Sequence, residues 1–354
     1  FLTIDSRLQK VANESLAKAI QSSGQPDCIA GGVVALSVKD FSVLAAATYP
    51  SYDLAKLTEP GYYSQLANDK ANPLFNRAFQ GAFAPGSIFK PLVACGALEE
   101  GVLTTEDKIK CVGIYHYPGH NFTTKCLGVH GNADLNYAMA KSCNVYFSEA
   151  GRRLGIENMN LYAKRFGLGV KTGIELTETT GILAGPEYSR SIGSRWSNLV
   201  TIKAAIGQSD NQFSPLQLAT YVATIANGGN RYRPHLIRKI TDYRRENIVM
   251  ENNPDSPELV ETAGVSEEHL NMVKTAMRQV VLSGTATNFN GYMVPVAAKT
   301  GTAQNNGSDH TTFICFAPYE NPEIAIAVVV EHGAKGMVSK IVAKDIMDAY
   351  FSNK

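Results

Sequence analysis

Ser87-Ile88-Phe89-Lys90 sets a serine one helical turn ahead of a lysine, directly after Ala84-Pro85-Gly86. Residues i and i+3 share a helix face, so hydroxyl and amine are expected side by side. A lysine held out of water or near another cation loses basicity, and its neutral form can take the serine proton. Pro85-Gly86 stops the preceding chain and puts Ser87 at a helix N-terminus, where free backbone N–H groups can hold an oxyanion. The chemistry implied is acyl transfer through an ester on Ser87.

The spacing alone is common. Ser15-Leu16-Ala17-Lys18 has it too, and reads as the solvated face of an amphipathic N-terminal helix. Ser87 differs in its company: Ser142-Cys143-Asn144 follows, and then Lys299-Thr300-Gly301-Thr302-Ala303, which continues the apolar run Val294-Pro295-Val296-Ala297-Ala298. A K-T-G serving this chemistry must lie on an edge strand, so that its backbone can pair with a peptide and supply an oxyanion-hole N–H. Two strings compete for the same roles. Lys171-Thr172-Gly173 has no strand-like run before it, and Ser209-Asp210-Asn211 continues Ala205-Ile206-Gly207-Gln208. Context therefore selects Ser142, Asn144 and Lys299.

S-x-x-K, S-x-N and K-T-G in this order resemble the penicillin-binding transpeptidases, specifically the class B, elongation-type group. The likeness starts at Leu2-Thr3-Ile4-Asp5 and takes in Gly128-Val129-His130-Gly131, Phe166-Gly167-Leu168-Gly169 and Ser214-Pro215-Leu216-Gln217. It ends in Phe316-Ala317-Pro318-Tyr319 and Glu331-His332-Gly333, so it spans nearly the whole chain. Ser209 departs from it, since family members usually carry glycine there. The resemblance implies D,D-transpeptidase activity, with Ser87 as nucleophile, Lys90 as its base, Ser142 as proton relay, Asn144 on the donor backbone and Lys299 as positive potential. Thr300, Gly301 and Thr302 would bind substrate, the threonine hydroxyls meeting its carboxylate. Implied partners are peptidoglycan stem peptides and their lipid-linked precursor, β-lactam antibiotics, a glycosyltransferase and other elongation-complex proteins. A β-lactamase, a β-lactam sensor and a pseudoenzyme scaffold are the competing readings, and the intact motif residues argue against the last.

Around these residues the elements follow from periodicity. Residues 5–22 carry a helical stripe, and 33–38 with 43–47 form a hairpin. Residues 50–85 are a turn-rich, aromatic excursion. Helical patterns predominate from 87 to about 294, as at 135–154, 216–226 and 268–282, and strands return at 294–302, 311–317 and 324–330 before a last helix at 341–350. Strands at both ends flanking helices predict an α/β (α+β) fold: an antiparallel sheet, five-stranded in the resembled family, with a helical lobe at about 100–290 inserted between its halves. Residues 1–354 read as one transpeptidase domain.

The formal net charge of +1 and 18% charged residues imply no nucleic-acid partner. No apolar run reaches the length of a membrane span. Without a signal peptide or initiating Met, Phe1 reads as a processing boundary. The resemblance implies an upstream membrane helix and pedestal domain, and work at the extracytoplasmic face of the membrane.

Of six cysteines, Cys95 and Cys315 lie in apolar contexts and read as small core residues. Cys111, Cys126 and Cys143 cluster in sequence with His116, His120 and His130. Zn²⁺ favours tetrahedral Cys and His sets, and the ligand set expected is Cys111, Cys126, His130 and Cys143, with His116, His120 or Asp134 as substitutes. A Cys111–Cys126 disulfide and free thiols stay open as alternatives. The family's chemistry requires no metal. His310 follows a polar loop and reads as a satisfied loop histidine near the cleft.

Overall fold

Five antiparallel strands form the centre of the computed structural model, which describes residues 1–334 and 336–352. In chain order they are β1 (Ala30–Ser37), β2 (Val43–Tyr49), β3 (Ala297–Ala303), β4 (His310–Ala317) and β5 (Ile324–Glu331). In space they run β3-β4-β5-β1-β2, so the two ends of the chain share one sheet. β1 pairs with β5 from Ala30 opposite Glu331 to Ser37 opposite Ile324. The helices that matter most for the site are α1 (Ser6–Gln21), α2 (Lys90–Glu99), α3 (Asn144–Leu154), α4 (Pro215–Ala226), α5 (Glu267–Leu282) and α6 (Met337–Phe351).

β5 reads Ile-Ala-Ile-Ala-Val-Val-Val and is buried along that whole run, as a strand covered on both faces requires. Neighbouring glycines in β1 show the two layers: a Cβ at Gly31 would meet Leu16 and Ile20 of α1, whereas one at Gly32 would meet Pro215 of α4. α1 begins where Asp5 accepts hydrogen bonds from the amides of Arg7 and Leu8, at 2.9 and 3.1 Å. It buries Leu8, Ala12, Leu16, Ala19 and Ile20, the stripe its sequence announces. α4 starts on a reciprocal cap between Ser214 and Gln217 with Pro215 in its first turn, and every residue of it is buried.

Three differences from the sequence reading bear on function. The expected helix over 135–154 is two helices, Leu135–Ala140 and α3, separated by a turn at residues 141–143 in which Ser142 has φ of +53°. Residues 109–133 hold two small ladders, Ile109–Cys111 with Gly131–Ala133 and Ile114–His116 with Thr123–Lys125, in place of helix. The excursion at 50–85 includes a short helix, Tyr62–Asn68.

Ser87 lies in a 3₁₀ turn, Gly86–Phe89, that runs straight into α2. This turn is pressed backbone to backbone against β3, the edge strand. Thr312 of β4 donates its hydroxyl to the carbonyl of Pro85 at 2.7 Å. Gly86 has φ of +59°, and a Cβ on it would lie 2.5 Å from the carbonyl oxygen of Thr302. On Gly301 a Cβ would lie 2.1 Å from the Thr312 hydroxyl and 2.8 Å from the Pro85 carbonyl. Only glycine allows both approaches. Gly301→Ala is therefore expected to destabilise the fold by about 1–3 kcal/mol, the usual cost of overpacking. Urea unfolding reads this as a lower midpoint, and an unchanged midpoint would show that turn and strand are not in this contact.

Candidate active site

Lys90, the first residue of α2, and Lys299 of β3 are both fully buried, and both reach the hydroxyl of Ser142. The Nζ–Oγ distances are 3.1 Å from Lys90 and 3.0 Å from Lys299. Lys90 also donates to the Ser142 carbonyl and to Asn144 Oδ1, each at 2.7 Å, and Lys299 donates to the Thr300 carbonyl at 2.9 Å. The break between the two helices makes this possible. A left-handed serine costs energy, and here Lys90 holds its carbonyl while the Ser142 amide donates to Met139 at 3.2 Å.

Burial pushes the Lys90 amine down to about 7, partly opposed by the nearby Cys143 and Cys126 thiols. Lys299 is held well below the ordinary lysine range, first by burial and then by the charge of Lys90. Donor accounting then orients the amine. The Ser142 carbonyl and Asn144 Oδ1 can only accept, so a neutral Lys90 keeps its two hydrogens on them. Its lone pair is left toward the side of the Ser142 hydroxyl.

Among the described hydrogen bonds none joins Lys90 to Ser87 directly, which differs from the direct pairing expected from their spacing. Ser87 instead shares a cleft of about 580 Å³ with Ser142, Asn144, Thr300, Gly301 and Thr302. Thr302, in β3, is exposed, and its amide runs along the edge beside the Ser87 turn. Residues 87 and 302 thus border the same cleft from the turn and from the edge strand. A larger depression of about 890 Å³ lies elsewhere, around Lys39, Asn227 and Lys274, and contains no comparable nucleophile and base.

The four expected metal ligands converge. The Sγ atoms of Cys111, Cys126 and Cys143 and a ring nitrogen of His130 lie within 4.8 Å of one another. His130 Nδ1 is 3.5 Å from Cys111 Sγ and 3.4 Å from Cys126 Sγ, and the Cys126 and Cys143 sulfurs are 3.8 Å apart. The small ladders bring them together: Cys111 pairs with Gly131 beside His130, and the Cys126 amide donates to Gly113. The thiol of Cys143 and several backbone amides favour the thiolate of Cys126, while the thiol of Cys143 is pushed up. The Asn144 amide donates to Cys126 Sγ at 3.2 Å, so the cluster touches the Ser142–Asn144 turn directly. All six cysteines are free thiols, which removes the disulfide alternative from this structure. The substitute ligands lie outside the cluster: His120 packs on Tyr117, His116 is exposed on its ladder, and Asp134 caps the helix Leu135–Ala140.

The competing strings are structural. Asn211 is buried between the Ala184 amide and the Ala204 carbonyl, and Thr172 is tied to Glu178. Ser209 has φ of +70°, where glycine is at home. His310 accepts a hydrogen bond from the His332 amide at 3.0 Å; it is satisfied as expected, but it is the first residue of β4 and not a loop residue. Motif reading missed Gln208, Thr285 and Lys340, which also line the cleft. Gln208 Nε2 donates to the Thr302 carbonyl at 3.3 Å, and the Thr285 and Thr300 hydroxyls are 2.6 Å apart. Gln208 stood inside a quoted motif, but nothing in the sequence aims the other two at the cleft.

Residues 31–348 match the penicillin binding protein transpeptidase domain. The chain belongs to this family. Similar curated proteins include the peptidoglycan D,D-transpeptidases MrdA of Acinetobacter baumannii, 33% identical, and of Haemophilus influenzae, 32% identical. The matches cover 98% and 100% of this chain but 53% and 56% of those proteins, so the chain spans about half the length of the curated relatives it matches. Among solved structures, PBP2 of Pseudomonas aeruginosa in complex with WCK 5153 superposes with a TM-score of 0.86 at 32% identity, covering 99% of this chain and 75% of that one. The imipenem acyl-enzyme of penicillin-binding protein A from Mycobacterium tuberculosis gives 0.86 at 26% identity, covering 99% and 78%. The five-stranded antiparallel sheet with packed helices is the fold of this transpeptidase domain family.

Two outcomes are expected of the transpeptidase domain. Acylation of Ser87 by an activated ester or lactam should rise with pH along a limb centred near 7, as Lys90 loses its proton. A stopped-flow profile flat from pH 6 to pH 8 would exclude Lys90 as the base. Ser209→Gly should stabilise the protein by about 1 kcal/mol by relieving the left-handed serine, and a melting temperature that falls would contradict that strain.

Proposed function

We propose that this domain is a peptidoglycan D,D-transpeptidase. Ser87 Oγ attacks the carbonyl of the penultimate D-Ala of a stem peptide, and its proton passes to neutral Lys90. The backbone N–H groups of Ser87 and Thr302 take the developing oxyanion. As the C–N bond breaks, the proton now on Lys90 reaches the leaving D-Ala through the Ser142 hydroxyl, which lies 3.1 Å from Lys90 Nζ and 3.0 Å from Lys299 Nζ. An amine from a neighbouring stem then attacks the ester, a proton returns by the same route, and Ser87 is released. The observation that carries this reading is the pair of fully buried lysines that meet at the Ser142 hydroxyl, in the cleft that also holds Ser87 and the edge strand. Asn144 and the Thr300 and Thr302 side chains are assigned to the donor backbone and carboxylate.

A β-lactam offers the same carbonyl and is expected to acylate Ser87. Among the described residues lining the cleft, the one carboxylate is Asp309, in the loop before β4. Poor provision for activating water favours a slow-clearing acyl-enzyme over a β-lactamase. Within the cell we place the domain at the extracytoplasmic face of the bacterial membrane, tethered by an upstream helix and working with a glycosyltransferase of the elongation machinery. In support, a solved structure titled as coordinating polymerization and crosslinking by a peptidoglycan synthase complex is 29% identical and covers all of this chain. No helix among the described residues is long and apolar enough to cross a membrane.

We also propose that Cys111, Cys126, His130 and Cys143 hold Zn²⁺. Three sulfurs and one imidazole are a donor set zinc favours, and the Asn144 amide already serves one sulfur from outside. Bound metal would neutralise the thiolates and brace the turn that carries Ser142 and Asn144.

Penicillin should add one adduct mass to the peptide containing Ser87 and persist for many minutes, and Ser87→Ala should abolish it. Rapid loss of the adduct with drug turnover would instead indicate a β-lactamase. Elemental analysis should find about one Zn²⁺ per chain, and chelation should lower the melting temperature. Metal-free protein purified without chelators would refute the zinc assignment.

A further inference from the structure

Lys340 is a cation of the cleft that no sequence motif assigns. It is the fourth residue of α6, half-buried, and it lines the same wall as Thr285, Thr300 and Gly301. Its Nζ donates to the Thr285 carbonyl at 3.3 Å, and the Thr285 hydroxyl shares a 2.6 Å hydrogen bond with the Thr300 hydroxyl. Lys340, Thr285 and Thr300 thus form a continuous polar line from α6 to the edge strand.

Nothing in the fold accounts for the charge at this place. Lys344, one turn on, pairs with Asp348 at 2.7 Å, whereas Lys340 enters no ion pair among the described residues. A lysine near the start of a helix opposes the helix dipole, and the first turn of α6 holds no acidic residue to offset it. Gly336, which caps that helix, also lines the cleft, so the positive end of α6 and the Lys340 ammonium face the same space. Meanwhile Lys299, the cation that the motif supplies, is fully buried, and its donors go to Ser142 and the Thr300 carbonyl. Burial and then the charge of Lys90 hold Lys299 well below the ordinary lysine range, whereas half-buried Lys340 is lowered by burial alone. The cleft therefore has hydroxyls suited to a carboxylate beside Thr300 while the cation beneath them is occupied with the proton relay.

We infer that Lys340 is a specificity-determining residue, whose ammonium binds the terminal carboxylate of the donor D-Ala-D-Ala stem together with the Thr300 and Thr302 hydroxyls. The inference rests on the transpeptidase reading and deepens it. A free carboxylate is the group that distinguishes the end of a stem from an interior peptide bond, and the ring carboxylate of a penicillin occupies the equivalent chemical position. Lys340 takes no part in bond making. It raises the fraction of encounters in which the scissile carbonyl lies over Ser87, so its effect falls on carboxylate-bearing acyl donors and weakens with salt.

The test compares benzylpenicillin with its methyl ester on the wild-type domain, Lys340→Ala and Lys340→Arg, by second-order acylation rates and melting temperature. Lys340→Ala should slow acylation by the free acid about tenfold or more, with Arg recovering most of the loss. The ester should respond little to either substitution, and added salt should slow the acid on wild type more than on Lys340→Ala. Equal losses for acid and ester, a loss that Arg does not restore, or no change in Lys340→Ala would overturn the assignment, whichever way the melting temperature moves. A wild-type domain that forms no Ser87 adduct would strike the transpeptidase reading itself, and this inference with it.

Discussion

Two lysine side chains are buried against one serine hydroxyl, and no carboxylate pairs with either among the described residues. An isolated buried charge is expensive, so such a pair persists only if the surroundings let it shed protons and satisfy its remaining hydrogens. Everything near the site serves that condition. The left-handed turn at Ser142 presents both a carbonyl and a hydroxyl to Lys90, Asn144 offers an acceptor, and the Thr300 carbonyl takes a hydrogen of Lys299. The sheet fixes Lys299, the start of α2 fixes Lys90, and the helices Leu135–Ala140 and α3 hold the turn that carries Ser142.

Much of this was legible in the chain. Ser87 and Lys90, the edge strand at Lys299 and the apolar run of β5 each carry strong local patterns, and the strands fall within a residue or a few of their expected bounds. The break at Ser142 was not, because serine between two helix-forming stretches carries no breaker signal. Its left-handed backbone is held by partners distant in sequence, chiefly Lys90 on its carbonyl. The ladders at residues 109–133 escaped for a different reason: three-residue strands are too short for a period to show. Thr285 and Lys340 are contributed by segments far apart in sequence, and only the folded chain sets them beside Thr300.

The cysteine cluster shows how sequence proximity and function can be coupled through one backbone amide. Cys143 lies between Ser142 and Asn144, and the Asn144 N–H points at Cys126 Sγ. Movement of that sulfur must therefore be felt at the residue whose side chain receives Lys90. Ligand spacing suggested the set, but it was the two small ladders that made it converge, with His130 carried next to Cys111 by the pairing of Cys111 with Gly131.

The approach of Gly86 and Gly301 across the gap between turn and strand has a genetic consequence. The main-chain N–H groups of residues 87 and 302 can be removed only by substitution to proline, and the two glycines that admit the close approach of turn and strand leave no room for a side chain. Variation that alters the fit of the cleft is thus expected at lining side chains such as Gln208, Thr285 and Lys340. Selection would have to work there, on residues that adjust approach and fit, because the turn and strand beneath them are packed too closely to change.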